Sequence, residues 1–434
     1  LPVGNTMSKT AHELGFIHIV TVTLDKGVKK PLDYGVPTTC KGRIEVGSRV
    51  LVPVRTTLKP ATVIDVKGHA TTPQVRPIEK LLFEKPLLSA PLFTLAKWMS
   101  NYYTTPLSKV IKMMLPSSAI APNKEKKMRF VRPLLPPSKL RDLIASLREK
   151  KRSQATLLDA LLPHPEGLFE VDLLKLAGTS ASPLKTLTKQ NILAVSEKQV
   201  LRSPLEDVPF FKTAEKLLTD EQQQTFNSIS DELEKGPAHT HLLFGVTGSG
   251  KTEVYLRLIK KARELNKGVI LLVPEIALTS QIIERVKTRF DEKIGILHHK
   301  LSSGEKHDMW HQIQQGHIQI VIGARSAIFS PIKDLGLIIV DEEQEGAFKQ
   351  TDEMPCYHAR DMAALRGKLE GVSVLLGSAT PGLETFYNAQ SGHYKLHTLS
   401  KRANDFAMPE IALIDKSSPL EGYEGNPTLF TTSL

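Results

Sequence analysis

Apolar residues change their spacing twice along this 434-residue chain. From residue 16 to about 115 they alternate or run in short blocks closed by Gly or Pro: Ile17, Ile19 and Val20–Val22, then Arg49–Val54, then Ala61–Val66. Blocks of that length and period predict strands. Pro91–Tyr103 breaks the alternation, and Phe93, Leu95, Ala96, Met99 and Tyr102–Tyr103 give a helix an apolar face. Residues 1–115 are thus expected to form a small β-rich domain with a helix appended. Residues 116–138, rich in Pro and Lys, read as a linker. Helical spacing follows: Leu140, Leu143, Ile144 and Leu147, then Leu157–Leu162, then Val171–Leu176 up to Gly178. Ser182–Gln190 predicts a further helix, capped by Ser182 with Pro183 at its first position, and Ile192–Leu201 suits a hairpin. Over 139–205 that order predicts a winged-helix domain, a fold that serves DNA binding and protein contact alike.

Beyond about Pro209 the period changes again. His241–Phe244, Val269–Val273, Gly295–Leu297, Ile318–Ile322, Leu337–Val340 and Val372–Leu376 are short continuous apolar runs, most of them separated by helical stretches. Runs without alternation are buried on both faces, so 206–434 is expected to be an α/β domain on a parallel sheet.

Composition narrows the function classes. No apolar run approaches the roughly 20 residues a bilayer span needs, and the N-terminus shows no signal peptide, so a cytoplasmic protein without membrane contact is expected. Cys40 and Cys356 stand outside any CxxC spacing, so they build neither a disulfide framework nor a zinc site. The net charge of +11 favours a polyanionic partner. It is concentrated: Lys109 to Arg152 holds 13 basic and 3 acidic residues.

The chemistry lies in the second half. Gly245-Val-Thr-Gly248-Ser249-Gly250-Lys251-Thr252 is a complete phosphate-binding loop between a strand and a helix. Its glycines turn backbone N–H groups toward phosphates, Lys251 reaches the outer phosphates, and the Thr252 hydroxyl ligates Mg2+. The run Leu337–Val340 ends in Asp341-Glu342-Glu343-Gln344, where Asp341 can hold Mg2+ and Glu342 can orient a water. Gln222, just upstream of the first strand, suits an adenine edge. Gly377-Ser378-Ala379-Thr380-Pro381 closes another strand, and Val273–Gln281 continues a third.

The order of these segments resembles the superfamily 2 helicases, and GVTGSGKTEVY, VPEIALTSQ, IGARSAIFSP, DEEQ, YHARD and LGSATP resemble the replication-restart helicase family PriA (primosomal protein N′). Pro31-Leu-Asp33-Tyr34, Gly47–Val54 and Tyr102-Tyr103 resemble that family's N-terminal 3′-end-binding domain. The resemblance implies a RecA-like lobe behind a β-rich 3′-end domain and a winged helix. It implies that Gln222 contacts adenine and that Gly245, Gly248, Ser249, Gly250, Lys251 and Thr252 bind phosphates and Mg2+. Lys251, Asp341 and Glu342 would be catalytic. Thr279, Arg325, Lys349, Tyr357 and Arg360 would touch DNA, the last three in an aromatic-rich loop that senses single strands. Asp33 and Tyr34 would line the pocket for a terminal 3′ nucleotide, and Gln344, Ser378, Ala379 and Thr380 would couple nucleotide state to DNA grip. Where the family usually reads DEEH, this chain has Gln344.

The implied activity is an ATP-dependent 3′→5′ DNA helicase that recognises abandoned forks and starts primosome assembly. Forked and single-stranded DNA, primosome proteins and single-stranded-DNA-binding protein are its implied partners, and a monomer is expected. The family's second lobe and zinc-binding segment have no counterpart before Leu434, and the two cysteines supply no zinc ligands. A fork-binding fragment that does not hydrolyse ATP is therefore one rival, and another superfamily 2 translocase is a second.

Overall fold

The computed structural model describes residues 10–25, 30–40, 44–70, 72, 74–116, 127–199, 214–275, 280–298 and 301–403. The first unit is a six-stranded sheet in the order β5-β2-β1-β4-β3-β6. Its strands are β1 (His18–Leu24), β2 (Leu32–Val36), β3 (Arg49–Val54), β4 (Thr57–Lys67), β5 (Arg76–Pro77) and β6 (Lys80–Leu81). Val20, Val22, Val50, Val52, Ala61 and Val63 fill its core, alternating with outward positions as period-two patterning requires.

The helices that follow turn most of their apolar surface away from that sheet. α1 (Ala90–Tyr102) and α2 (Leu107–Met114) bury Leu92, Leu95, Met99, Val110 and Met114 in a cluster that includes Ile270, Trp310, Ile338 and Met362 from the nucleotide lobe. The appended helix of the sequence reading is thus a wall of the distant lobe. Its apolar stripe needed a partner, and the six-stranded core was already filled.

The stretch read as a linker contains β7 (Lys127–Pro133), which is the centre of a three-stranded sheet. It pairs along its whole length with β9 (Leu193–Gln199) and at two positions with β8 (Leu168–Phe169). Val131 is fully buried and Phe130 meets Phe169 edge-on at 5.2 Å, so one short apolar run outweighs the surrounding charge. Of the stretch Ile192–Leu201 the described residues form one strand, β9, and no hairpin, because its partner comes from earlier in the chain. Around this sheet stand α3 (Pro137–Leu147), α4 (Arg152–Leu161), α5 (Glu170–Ala177) and α6 (Ala181–Lys189), giving the winged-helix fold. α6 starts after Ser180, two residues earlier than expected, and Ser180 makes no side-chain cap bond.

The largest sheet has seven parallel strands in the order β12-β13-β11-β14-β15-β10-β16. They are β10 (Thr240–Gly245), β11 (Gly268–Leu272), β12 (Ile294–Leu297), β13 (Ile320–Gly323), β14 (Leu335–Asp341), β15 (Ser373–Ser378) and β16 (Lys395–Leu399). Successive residues point to opposite faces: Leu242, Ile270, Ile338 and Leu376 into one core, Leu243, Leu271, Ile339 and Leu375 into the other. α7 (Asp220–Lys235), α8 (Lys251–Glu264) and α9 (Ser280–Lys287) complete the lobe with α10 (Ser303–Gln315), α11 (Ala359–Glu370) and α12 (Leu383–Gln390). Among the described residues no helix is long and apolar enough to cross a membrane.

Candidate nucleotide and strand sites

Parallel strands all end at one edge, and that edge collects the motif residues. Asp341 pairs with Gly377 across β14 and β15, and Phe244 pairs with Ser378 across β15 and β10. The loop after β10, the acids after β14 and the GSAT turn after β15 are therefore neighbours in space.

The loop has the backbone its chemistry needs. Gly248 and Gly250 stand at φ +81° and +82°, where an L side chain is strained, and a Cβ on Gly250 would meet Gln222 Nε2 at 2.4 Å. α8 starts at Lys251, so its unsatisfied N–H groups and positive dipole end face the loop. Lys251 folds back to donate from Nζ to Gly245 O at 2.9 Å, and the Ser249 hydroxyl is buried without a partner. A buried orphan hydroxyl and an ammonium held by a single carbonyl fit a polyphosphate.

Gln222 has another task than the adenine contact expected of it. Its Oε1 accepts from Thr219 N, closing a capping box at the head of α7, and its Nε2 donates to Ser249 O at 2.7 Å. With 3% exposure it braces the loop from behind. The sequence reading also missed the chain after β16. Ala403 N donates to Gly248 O at 3.0 Å, and Ser400 bonds Glu221 through N and Oγ, so residues 400–403 strap the loop to α7. Nothing in those residue types advertises this.

Asp341 Oδ1 accepts from Tyr255 Oη at 3.0 Å and from Glu342 N at 3.1 Å. Burial, then the neighbouring Glu342 charge, push its carboxyl above the usual range, while the Tyr255 bond and the Lys251 charge pull it back. Tyr255 is fully buried, and burial raises its phenol further, so it remains a donor. It needs Gly377: a Cβ there would lie 1.7 Å from the Tyr255 hydroxyl. Glu342 sits at φ +48°, a strained value for a side chain of its size, and its Oε2 accepts from Gln344 Nε2 at 2.9 Å. Gln344 Oε1 accepts from Ser378 Oγ at 2.6 Å, and Ser378 Oγ accepts from Thr380 N at 2.9 Å. One hydrogen-bonded line thus joins Glu342 to the GSAT turn, with Ala379 contributing only chain. Thr252 is half-buried at the start of α8.

Glu343, the acid without an assigned task, is wholly buried. Its carboxylate accepts from Gly382 N, the Thr385 hydroxyl and Arg360 Nη1 at 2.7, 2.9 and 3.1 Å. Arg360 is thereby a structural cation and no free DNA contact, and it also reaches Asp361 at 2.9 Å. Tyr357 and Phe348 are each 1% exposed, so neither offers a ring face to a base. Tyr357 instead packs edge-on to Phe329 at 5.2 Å. Arg325 donates to Lys349 O at 2.7 Å, and Lys349 itself is exposed. Arg325, Lys349 and Tyr357 do come together around a cleft of about 610 Å³, with Met114, Glu275 and Trp310 on its other walls. Thr279 lies outside the described residues. In the first unit Asp33 is half-buried and accepts from the Thr21 hydroxyl at 2.7 Å. Tyr34 is a core residue there, 5% exposed and donating to Pro53 O at 2.9 Å, so it does not line an open pocket.

Two family descriptions match: the PriA 3′DNA-binding domain over residues 20–116 and the DEAD/DEAH box helicase over residues 219–388. The replication restart protein PriA of Chlamydia pneumoniae is 42% identical over 91% of this chain and 52% of its own length. That of Bacillus subtilis is 33% identical over 97% of this chain and 60% of its own. Among solved structures, RecG bound to a three-way DNA junction aligns over 88% of this chain and 48% of that one, at 17% identity and a TM-score of 0.33. The chain spans about half the length of the curated relatives it matches. With matches to the PriA 3′DNA-binding domain and to the DEAD/DEAH box helicase, and relatives aligned over nine tenths of its length, the chain is similar to the replication restart protein PriA over about half of that protein.

Proposed function

We propose that the chain is the fork-recognition and ATP-binding part of a 3′→5′ DNA helicase that restarts replication and nucleates primosome assembly in the cytoplasm. In this reading the 3′-end domain runs to about residue 115, the winged helix takes in β7, and the nucleotide lobe begins near residue 206. Single-stranded-DNA-binding protein and primosome proteins are proposed as partners on the family name alone. The observation that supports the reading best is the hydrogen-bonded line from Glu342 through Gln344 to Ser378 and Thr380. It starts at the acids that face the phosphate loop and ends at the turn after β15.

The chemistry follows from the residues. Thr252 and Asp341 would hold Mg2+, which would neutralise phosphate charge. Lys251 exchanges the Gly245 carbonyl for the outer phosphates, and the loop N–H groups fix the chain of phosphates in line. Glu342 orients a water for attack, and its bond to Gln344 passes that occupancy to the GSAT turn after β15.

The test is ATP turnover by the 434-residue chain with and without forked DNA, in parallel with Lys251→Ala. Fork-stimulated turnover that Lys251→Ala abolishes, with fork affinity retained, is the expected result. Turnover surviving in Lys251→Ala overturns the assignment. Nucleotide binding without turnover would make the chain a fork-binding module. A fork with a free 3′-hydroxyl should also bind more tightly than one ending in phosphate, and equal affinities would remove the 3′-end pocket around Asp33.

A further inference from the structure

A base-stacking residue is missing from the cleft as described, since Phe348 and Tyr357 are both buried. Among the described residues two tyrosines are exposed, Tyr387 on α12 and Tyr102 on α1, and Tyr102 belongs to a stack. Trp98 and Tyr102 lie one helical turn apart and stack at 4.6 Å with only 12° between their planes. Tyr102 is 67% exposed, which leaves its outer surface to solvent. The buried face of α1 is made by Leu92, Phe93, Leu95, Ala96 and Met99; Trp98 packs half-buried against that core, and Tyr102 stands outside it.

Two further observations say what this surface suits. Residues 85–116 hold Lys85, Lys97, Lys109 and Lys112, all exposed, and no Asp or Glu. The stack is also continuous with the cleft. Tyr102 meets Tyr103 edge-on at 4.9 Å, Tyr103 reaches the His358 main chain, and Tyr357 beside it lines the cleft. An acid-free, lysine-bearing helix with an exposed aromatic stack favours a polyanion that also presents flat apolar rings, and a single DNA strand is that polymer.

We propose that the Trp98–Tyr102 stack is a platform for an unpaired DNA base, at the point where the strand passes between the 3′-end domain and the helicase lobe. This rests on the DNA-binding reading and adds a site to it. The lysines hold phosphates on either side, and the base lies on the open face of Tyr102.

The chain has two tryptophans, and Trp310 is 2% exposed, so quenching by a bound strand reports Trp98. Oligothymidylate should quench the emission of the whole chain. Tyr102→Ala should weaken its affinity about 5- to 100-fold, the range of one lost base–aromatic stack, and Tyr102→Phe should restore it. An abasic oligonucleotide with the same number of phosphates should bind wild type and Tyr102→Ala alike. If Tyr102→Ala binds oligothymidylate as tightly as wild type, or the abasic strand loses as much as the intact one, the platform is wrong and only general DNA binding stands. A wild-type chain that binds neither oligonucleotide overturns the DNA-binding reading and the platform with it.

Discussion

The loop from Gly245 to Thr252 and the segment from Gly346 to Asp361 carry motifs of equal distinctness, yet only the first has the conformation its letters suggest. The loop works through backbone N–H groups and two left-handed glycines, so its function is written into residue type and order. The segment would work through the faces of its side chains, and faces are assigned by packing. Phe348 and Tyr357 turned inward because a parallel sheet needs apolar cover at its edge, and Arg360 followed because buried Glu343 needs a counter-charge. Local backbone chemistry is therefore a safer guide to function than an aromatic or cationic side chain in a loop.

The largest effect that could break this contrast is at Arg360. If it serves Glu343, Arg360→Ala leaves a wholly buried carboxylate unpaired and should cost about 3–5 kcal/mol in chemical denaturation. Strand affinity, measured where the variant is still folded, should not change. Unchanged stability with weakened strand binding would return Arg360 to the DNA and erase the contrast.

Next comes acid, at the start of the strand that leads to the phosphate loop. His241 in β10 is buried between Glu232, His397 and Lys395, with His239 on the same carboxylate, and burial pushes it down to about 4. Below about 6.5 the unfolded chain takes up a proton that the folded chain refuses, so stability falls as pH drops toward 4, by roughly 3 kcal/mol. Denaturation midpoints between pH 7 and 4.5 should show the slope, and His241→Asn should flatten it. An equal slope in both proteins would place the acid-sensitive group elsewhere.

How far the letters reach can be stated residue by residue. The alternation of Val20, Val22, Val50 and Val52 and the continuous runs in β11 and β14 defined two sheets, since each pattern admits one kind of burial. Lys251 and Asp341 could be joined because two motifs of known order end on strands of one sheet. β7 was hidden, since a strand paired with chain sixty residues away leaves only a four-residue trace, Met128–Val131, among charges. The move of α1 to the helicase lobe was equally silent: an apolar stripe says that it is covered and does not say by what. Gln222 illustrates the same limit within a motif. Its position beside the loop was legible, and the partner of its amide was not.

Tyr255→Phe sharpens the phosphate side at smaller cost. It deletes the hydroxyl that donates to Asp341 and leaves one oxygen of a buried carboxylate with fewer donors, worth about 1–2 kcal/mol. Nucleotide binding with Mg2+ should weaken roughly 5- to 30-fold, and binding without Mg2+ should stay the same. Equal losses in both conditions would mean that Tyr255 shapes the loop and does not position the acid.

The smallest effect belongs to Gln344, the residue that links Glu342 to the GSAT turn. Its amide donates to Glu342 and accepts from Ser378, a pairing that neutral imidazole can also make with one nitrogen each way. Gln344→His should therefore bind nucleotide within about twofold of wild type at pH 8, where the ring is neutral. Near pH 6.5 the ring gains a proton and loses its acceptor. The Ser378 hydroxyl must then turn to accept, freeing the line that runs to Thr380. Fork-stimulated turnover in the variant should acquire an inflection near that pH which the Gln344 chain lacks. Superimposable pH profiles would show that the line from Glu342 to the GSAT turn is passive, and that the phosphate loop and the strand cleft communicate by another route.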